Sequence, residues 1–205
     1  GELWPAIVAL GKPVLKEKPL GRTLEEARDY RRAPGGVQTA IQRRHHGSYR
    51  AARAFLAAGR HVPREIHAHM HLGRTASADG WRRSRTAAGG GILLDAGYHM
   101  IDLVHAFIGP FDPVTCELWC GEHRAAEHEV EDRALLIGRS ARAWITIDLR
   151  RGGGPVEEGF DGGKSEGLMI ATAEGLLCAD RISVRWNDRP VSRHDGDWTD
   201  AMAAQ

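Results

Sequence analysis

The stretch Arg142-Ala143-Trp144-Ile145-Thr146-Ile147-Asp148-Leu149 decides the fold class. Ala143, Ile145, Ile147 and Leu149 alternate with Arg142, Trp144, Thr146 and Asp148. Successive side chains of an extended chain point to opposite faces, so this is a half-buried strand. Working outward, strand signals recur over 64–72, 114–121, 134–138, 167–172 and 181–186. One apolar helix, predicted over 93–108 and ended by Gly109-Pro110, interrupts them. Several adjacent strands and one packed helix predict an open, mostly antiparallel sheet covered on one face. The glycine-rich run 152–163 reads as a mobile loop between strands. The run 198–205 reads as a helix that begins and is cut off.

Residues 1–60 follow a different regime, alternating helix and strand signals as α/β units do. A helix end over 7–10 leads through a Gly turn to a short buried strand over 12–17. Thr23 stands three residues before Glu26, a capping-box spacing that opens a helix through Tyr30. A second strand follows over 37–42. Ser48 is placed to cap the next helix, with Tyr49, Ala52 and Leu56 as its apolar stripe and Gly59 as its stop.

The composition bounds the function. The 28 basic and 27 acidic side chains nearly cancel, which gives no global pull toward nucleic acid. No apolar run is read as membrane-spanning and no signal region is seen, so the expectation is a cytoplasmic protein with no membrane partner. Three cysteines do not suggest a disulfide framework. On a strand, Cys116 and Cys120 have Cα atoms about 13 Å apart, too far for a disulfide or a local metal clip. Buried free thiols are expected, and no metal ligand is assigned.

The strongest chemical signal is Gly89-Gly90-Gly91-Ile92-Leu93-Leu94-Asp95-Ala96-Gly97-Tyr98-His99-Met100-Ile101-Asp102. On one continuous helix, Asp95, His99 and Asp102 fall within a sector of about 60°. Two carboxylates flanking an imidazole can orient it and favour its charged form, which suits a general acid–base. The same spacing also describes a solvated polar face. A second signal is Gly11-Lys12-Pro13-Val14-Leu15-Lys16-Glu17-Lys18-Pro19-Leu20, where a Lys before Pro at a strand end projects at an edge or cleft.

These pieces, taken in order, resemble the Gfo/Idh/MocA oxidoreductases. Residues 12–20 resemble that family's Glu-Lys-Pro strand end, followed by its Thr-Leu-Glu-Glu-Ala helix. Gln42-Arg43-Arg44 resembles its Asn-Arg-Arg segment. Trp81-Arg82, the glycine run, Asp95, His99 and Asp102 resemble its Gly-Gly-Gly-x-Leu-x-Asp-x-Gly-x-His-x-x-Asp segment. The resemblance implies an α+β chain. Residues 1–42 would be the C-terminal part of a Rossmann-like dinucleotide-binding domain, and 43–205 a substrate-binding and oligomerisation domain. It implies that Glu17, Lys18 and Pro19, the last preceded by a cis peptide, lie beside the nicotinamide of NAD or NADP. It implies Lys18, Asp95 and His99 as the catalytic constellation, with Arg44, Arg82, Asp95 and His99 on the substrate. The implied reaction is NAD(P)-dependent oxidation or reduction of a sugar, cyclitol or related small polar molecule.

One departure stands out. No Gly-x-Gly-x-x-Gly follows a strand and opens a helix, so the chain alone is expected to bind NAD(H) or NADP(H) weakly or not at all. Gly159-Phe160-Asp161-Gly162-Gly163-Lys164-Ser165 fails as a phosphate loop because position 158 is Glu158. Two alternatives stay open: a redox-neutral lyase or isomerase using the same Lys-Asp-His set, or a non-catalytic ligand-binding or pairing module. His67, His69 and His71 alternate with Ile66, Ala68 and Met70, placing three imidazoles on one strand face. That open sheet face is the predicted contact of a homo-oligomer. Arg43, Arg44, Arg82, Arg83 and Arg85 are candidates for forked hydrogen bonds to substrate.

Overall fold

The computed structural model describes residues 3–73, 80–152, 164–196 and 199–203. The expected loop over 152–163 and the Gly159–Ser165 run therefore fall almost wholly outside the described residues. The chain forms two compact units, Gly1–Ile41 and Gln42–Gln205.

The first unit contains α1 (Trp4–Ala9), β1 (Val14–Glu17), α2 (Leu24–Arg31) and β2 (Val37–Ala40), with β1 and β2 paired in parallel. Thr23 caps α2, its Oγ1 accepting from the Glu26 N–H at 3.1 Å. The reciprocal half of the expected box shifts by one residue: the Glu26 carboxylate accepts from Arg22 N at 2.8 Å. β1 is not the buried strand that was expected. Its residues alternate in exposure and Leu15 is 65% exposed. Two strands alone cannot cover both faces of their own ribbon.

The second unit opens with a 3₁₀ turn (Arg43–His45), α3 (Gly47–Ala58) and β3 (Glu65–Leu72). A 3₁₀ turn (Gly80–Arg83), α4 (Arg85–Ala88), α5 (Ile92–Asp95) and α6 (Gly97–Ile108) follow. The strands are then β4 (Asp112–Cys120), β5 (His123–Arg124), β6 (Arg133–Arg139), β7 (Trp144–Arg151), β8 (Lys164–Ala171), β9 (Leu176–Asp180), β10 (Ser183–Trp186) and β11 (Arg189–Arg193). A short α7 (Thr199–Ala203) comes last. The strands make one sheet in the order β11-β10-β9-β8-β3-β7-β6-β4-β5. Among the described residues of this sheet the central β3–β7 pair alone is parallel, and the other pairings are antiparallel.

Alternation fixes which face is covered. Ile66, Ala68 and Met70 of β3, Ile145, Ile147 and Leu149 of β7, and Leu168 and Ile170 of β8 pack with α3 and α6 in one core. Each large aliphatic among them contributes roughly 1.5–3 kcal/mol on leaving water. The stripe Tyr49, Ala52 and Leu56 of α3 is buried there, as are Met100, Leu103 and Val104 of α6.

Three helix details depart from expectation. His46, not Ser48, occupies the cap position of α3, and Ser48 is fully buried one residue inside. α3 stops at Gly59 as expected, but Gly59 keeps a right-handed conformation and the left-handed residue is Arg60 at φ 53°. The single helix over 93–108 is broken: α4 ends at left-handed Gly89, α5 ends at Asp95, and α6 starts at Gly97. The start of α5 is held from elsewhere in the chain. The buried Glu131 carboxylate accepts from Gly91 N at 2.8 Å and Leu93 N at 3.1 Å, capping α5 from outside. A Cβ on Gly91 would sit 1.9 Å from the Glu131 carbonyl oxygen, so only glycine fits. The run Arg85–Ile108, not read as a span from sequence, does reach the length and mean hydropathy (1.2) of a membrane span. Here it is three short helices, and α6 lies on the core.

Candidate active site

The covered face of the sheet turns polar at one end. Arg151 of β7 has the same parity as Leu149, Ile147 and Ile145, and Lys164 and Glu166 of β8 have that of Leu168 and Ile170. The register aligns Leu72 with both Arg151 and Lys164, and Met70 with Glu166, so all three meet at one end of β3. Their charges are matched locally. Glu166, 1% exposed, takes Arg43 Nε at 3.0 Å and Lys164 Nζ at 2.9 Å. Burial pushes the Arg43 and Lys164 cations below their ordinary values, and Glu166 opposes that shift in both. Burial likewise holds the Tyr49 phenol well above its usual range, so it is a neutral hydroxyl.

The α5–α6 break brings the sequence-predicted residues to this region. Asp95 ends α5, and its carboxylate is paired with Arg151. His99 sits in the first turn of α6, only 8% exposed. Asp102 lies one turn further, and its carboxylate receives Arg44 Nε at 2.7 Å and also the Arg44 Nη2. The expectation of Asp95, His99 and Asp102 on one face of a continuous helix is thus corrected. The helix is interrupted between Asp95 and His99, and each carboxylate is neutralised by its own guanidinium. A forked guanidinium matches a carboxylate in a way an ammonium does not, which explains arginine at both partner positions.

Arg44, expected on the substrate, is engaged by Asp102 in this structure. Arg82 stacks on Trp81 at 4.5 Å from the ring centroid, with Trp81 itself 56% exposed. In the first unit, Glu17 ends β1 and the Lys18–Pro19 peptide is cis, as the resemblance implied. Lys16, whose Nζ donates to the Pro19 carbonyl at 2.9 Å, braces that turn. Burial lowers the Lys16 ammonium. Lys18 and His99 belong to different units, each of which holds its part of the motif.

Three participants were missed from sequence: Arg151, Glu131 and the Glu166–Lys164 pair, against which Arg43, read as a substrate contact, is buried. A readable signal existed for two of them. A charge that keeps the parity of an apolar strand face, as Arg151 and Glu166 do, marks the place where a core opens into a polar site. A groove of about 670 Å³ lined by Arg50, Arg53, Arg60, His61, Phe107 and Arg142, among others, contains none of the site residues.

The family model for the GFO/IDH/MocA C-terminal domain matches residues 49–153, about half of the chain. The chain belongs to the Gfo/Idh/MocA family. Among curated relatives of this family, 1,5-anhydro-D-fructose reductase of Ensifer adhaerens is 36% identical over 120 residues, 53% of this chain and 34% of that protein. Levoglucosan dehydrogenase, solved with NADH and levoglucosan, superposes with a TM-score of 0.73 at 23% identity, over 92% of this chain and 56% of that one. GenD2 from gentamicin A biosynthesis, solved with NAD, gives 0.70 at 23% identity, over 87% and 50%. At these identities the solved structures establish the fold. The chain spans about a third of the curated relative and about half of these two structures.

Proposed function

We propose that this Gfo/Idh/MocA chain is the substrate-binding part of an NAD(P)-dependent oxidoreductase that acts on a secondary hydroxyl or ketone of a sugar, cyclitol or similar small polar molecule. The carrying observation is His99, nearly buried at the start of α6, with carboxylate–guanidinium pairs at Asp95 and Asp102 on either side of it in the chain. A shielded imidazole next in the chain to neutralised carboxylates is the type of side chain that carries protons in acid–base catalysis. Residues 1–42 are read as the remnant of the dinucleotide-binding domain, and 43–205 as the substrate domain.

The residues at hand suit one end of the cofactor. The carboxyl end of a parallel strand is where open α/β sheets bind ligands. Glu17 and Lys18 at the end of β1 offer an acceptor and a donor for the nicotinamide riboside, beside Pro19. Among the described residues no strand–glycine turn–helix unit offers a pyrophosphate cradle, so the 205-residue chain is expected to show no micromolar affinity for NAD(H) in a calorimetric titration. When bound, the cofactor gives or takes a hydride at the substrate carbon. His99 takes the hydroxyl proton in oxidation and returns it in reduction. Lys18 donates a hydrogen bond to the same oxygen, stabilising developing alkoxide. Asp95 orients substrate and exchanges its bond with Arg151, while Arg44 and Arg82 contact the hydroxyls. The sheet face bearing His67, His69 and His71 is read as the contact of a homo-oligomer.

The test is turnover of the intact gene product with NAD(H) or NADP(H) on a panel of anhydrosugars, sugars and cyclitols. His99→Ala is expected to lower turnover on the order of a hundredfold or more, with substrate binding little changed. Asp95→Asn lowers both turnover and binding. Oxidation requires neutral His99 and reduction the protonated form, so the two directions carry opposite pH dependences. If His99→Ala keeps wild-type turnover and the same pH profile, the proton carrier is another group and this reading is wrong.

A further inference from the structure

Far along the chain from His99, the β4–β5 hairpin gathers three donors that the proposed chemistry does not use. Cys120 and His123 are register partners across a two-residue turn whose first residue, Gly121, is left-handed at φ 61°. The hairpin therefore places a thiol and an imidazole side by side in a Cys-x-x-His spacing. The chain then returns to bring Glu129 beside them. Its carboxylate is fixed by the Ala126 N–H at 2.8 Å and lies 3.1 Å from His123 Nε2. One donor atom from each of Cys120, His123 and Glu129 falls within 4.8 Å of the other two.

We propose that Cys120, His123 and Glu129 bind a divalent transition-metal ion, Zn²⁺ by the chemistry of its donors. Zinc–donor bonds of about 2.0–2.3 Å in a tetrahedron put donors roughly 3.5 Å apart, so the cluster needs to contract by about 1 Å. His123, on an exposed turn with its side chain 64% exposed, can supply that movement. A thiol, an imidazole and a carboxylate together favour zinc over the harder magnesium and calcium. The fourth position faces solvent and suits a water molecule.

The surroundings favour a cation. Glu129 and Asp132 both set negative charge against the Cys120 sulfur. Asp132 holds the turn through Oδ2, which accepts from Gly121 N at 2.9 Å, while its buried Oδ1 accepts no hydrogen bond among the described residues. The His67/His69/His71 row is a poorer candidate. Successive ring centres are 6.4 and 5.2 Å apart, and His69 and His71 already engage Ser165 and Asp148.

The experiment is a Co²⁺ titration of the reduced, chelator-treated 205-residue chain, followed by absorption and then by Zn²⁺ competition. One equivalent of Co²⁺ is expected to produce a thiolate-to-cobalt charge-transfer band with the intense visible bands of tetrahedral cobalt, and Zn²⁺ is expected to bleach both. Cys120→Ser abolishes the charge-transfer band, and His123→Gln or Glu129→Gln weakens binding by about tenfold or more. Cys116→Ser, Cys178→Ser and His69→Gln leave the titration unchanged. Absence of stoichiometric binding at micromolar concentration overturns the proposal, as does a charge-transfer band that survives Cys120→Ser or disappears in Cys178→Ser. All the substituted ligands lie on a surface hairpin and its loop, and a thermal melt of each variant separates loss of metal from loss of fold.

Discussion

The two faces of β3 share a backbone but not a chemistry. Ile66, Ala68 and Met70 point into the helix-covered core and are at most 2% exposed, while His67, His69 and His71 between them remain half-exposed. Around the histidines lie Thr146, Asp148 and Arg150 of β7 and Met169 of β8, by register. The covered face is a close-packed solid in which any charge must be paired. The open face is a mixed surface in which charges pair with one another and remain wet. A one-residue step along the strand separates the two regimes.

The comparison can be broken most sharply by putting the same charge on each face. Ala68→Asp buries an unpaired carboxylate between Ile147 and Leu168, its register partners, and should cost about 4 kcal/mol or more. His67→Asp, one residue away, should change stability by about 1 kcal/mol at most. Urea unfolding followed by circular dichroism measures both, and equal losses would remove the distinction between the faces. Next in size is Glu131→Ala. It strands the Gly91 and Leu93 N–H groups and removes the carboxylate paired with Arg85, a loss of about 3 kcal/mol in the same assay.

On the open face the expected effects are smaller and depend on pH. Burial alone would raise the Asp148 carboxyl, but hydrogen bonds from His71 and Arg150 outweigh it and hold the group well below the usual carboxylate range. A depressed folded value means stability that is present above the unfolded carboxylate range, near pH 4, and is lost as pH falls below it. Asp148→Asn should therefore cost about 1 kcal/mol at pH 7, once solvent screening is allowed for, and converge with wild type under acid. A difference that grows on acidification would show that the pairs do not stabilise the carboxylate. The smallest stability effect is expected at Met169, 44% exposed on this face. Met169→Asp should leave the unfolding midpoint unchanged while weakening self-association about tenfold by light scattering. A monomeric wild type at high concentration would remove the oligomer reading.

Much of the sheet was legible because period-two alternation is a local signal. β7 reads directly from Ala143, Ile145, Ile147 and Leu149. The run Leu176-Leu177-Cys178-Ala179 of β9 carries no alternation, and β11 begins at Arg189-Pro190, so neither announces itself. The candidate site was half legible. His99, Asp95 and Asp102 were visible as a spaced set, but their partners Arg151 and Arg44 stand 56 and 58 residues away in sequence. The break at Ala96-Gly97 was hidden for a similar reason. A glycine is tolerated within a helical pattern, and Glu131, which caps the start of α5, belongs to the segment before β6. Exposed Cys116 and half-exposed Cys120 contradict the expectation of buried thiols, because β4 lies near the sheet edge, where only β5 follows it.

The parallel β3–β7 pair has a consequence for how the chain is made. β3 leaves the ribosome first among the strands of its sheet, yet its partners arrive only with Trp144–Arg151 and Lys164–Ala171. During that interval both edges of the future central strand are open, and its apolar face has only α3 and then α6 to shield it. β4 through β7 can meanwhile assemble as neighbouring hairpins. The centre of the sheet thus closes only after the β4–β6 wing is made, and a slow translational pause or a chaperone acting between α6 and β7 would meet the chain with its central strand unpaired.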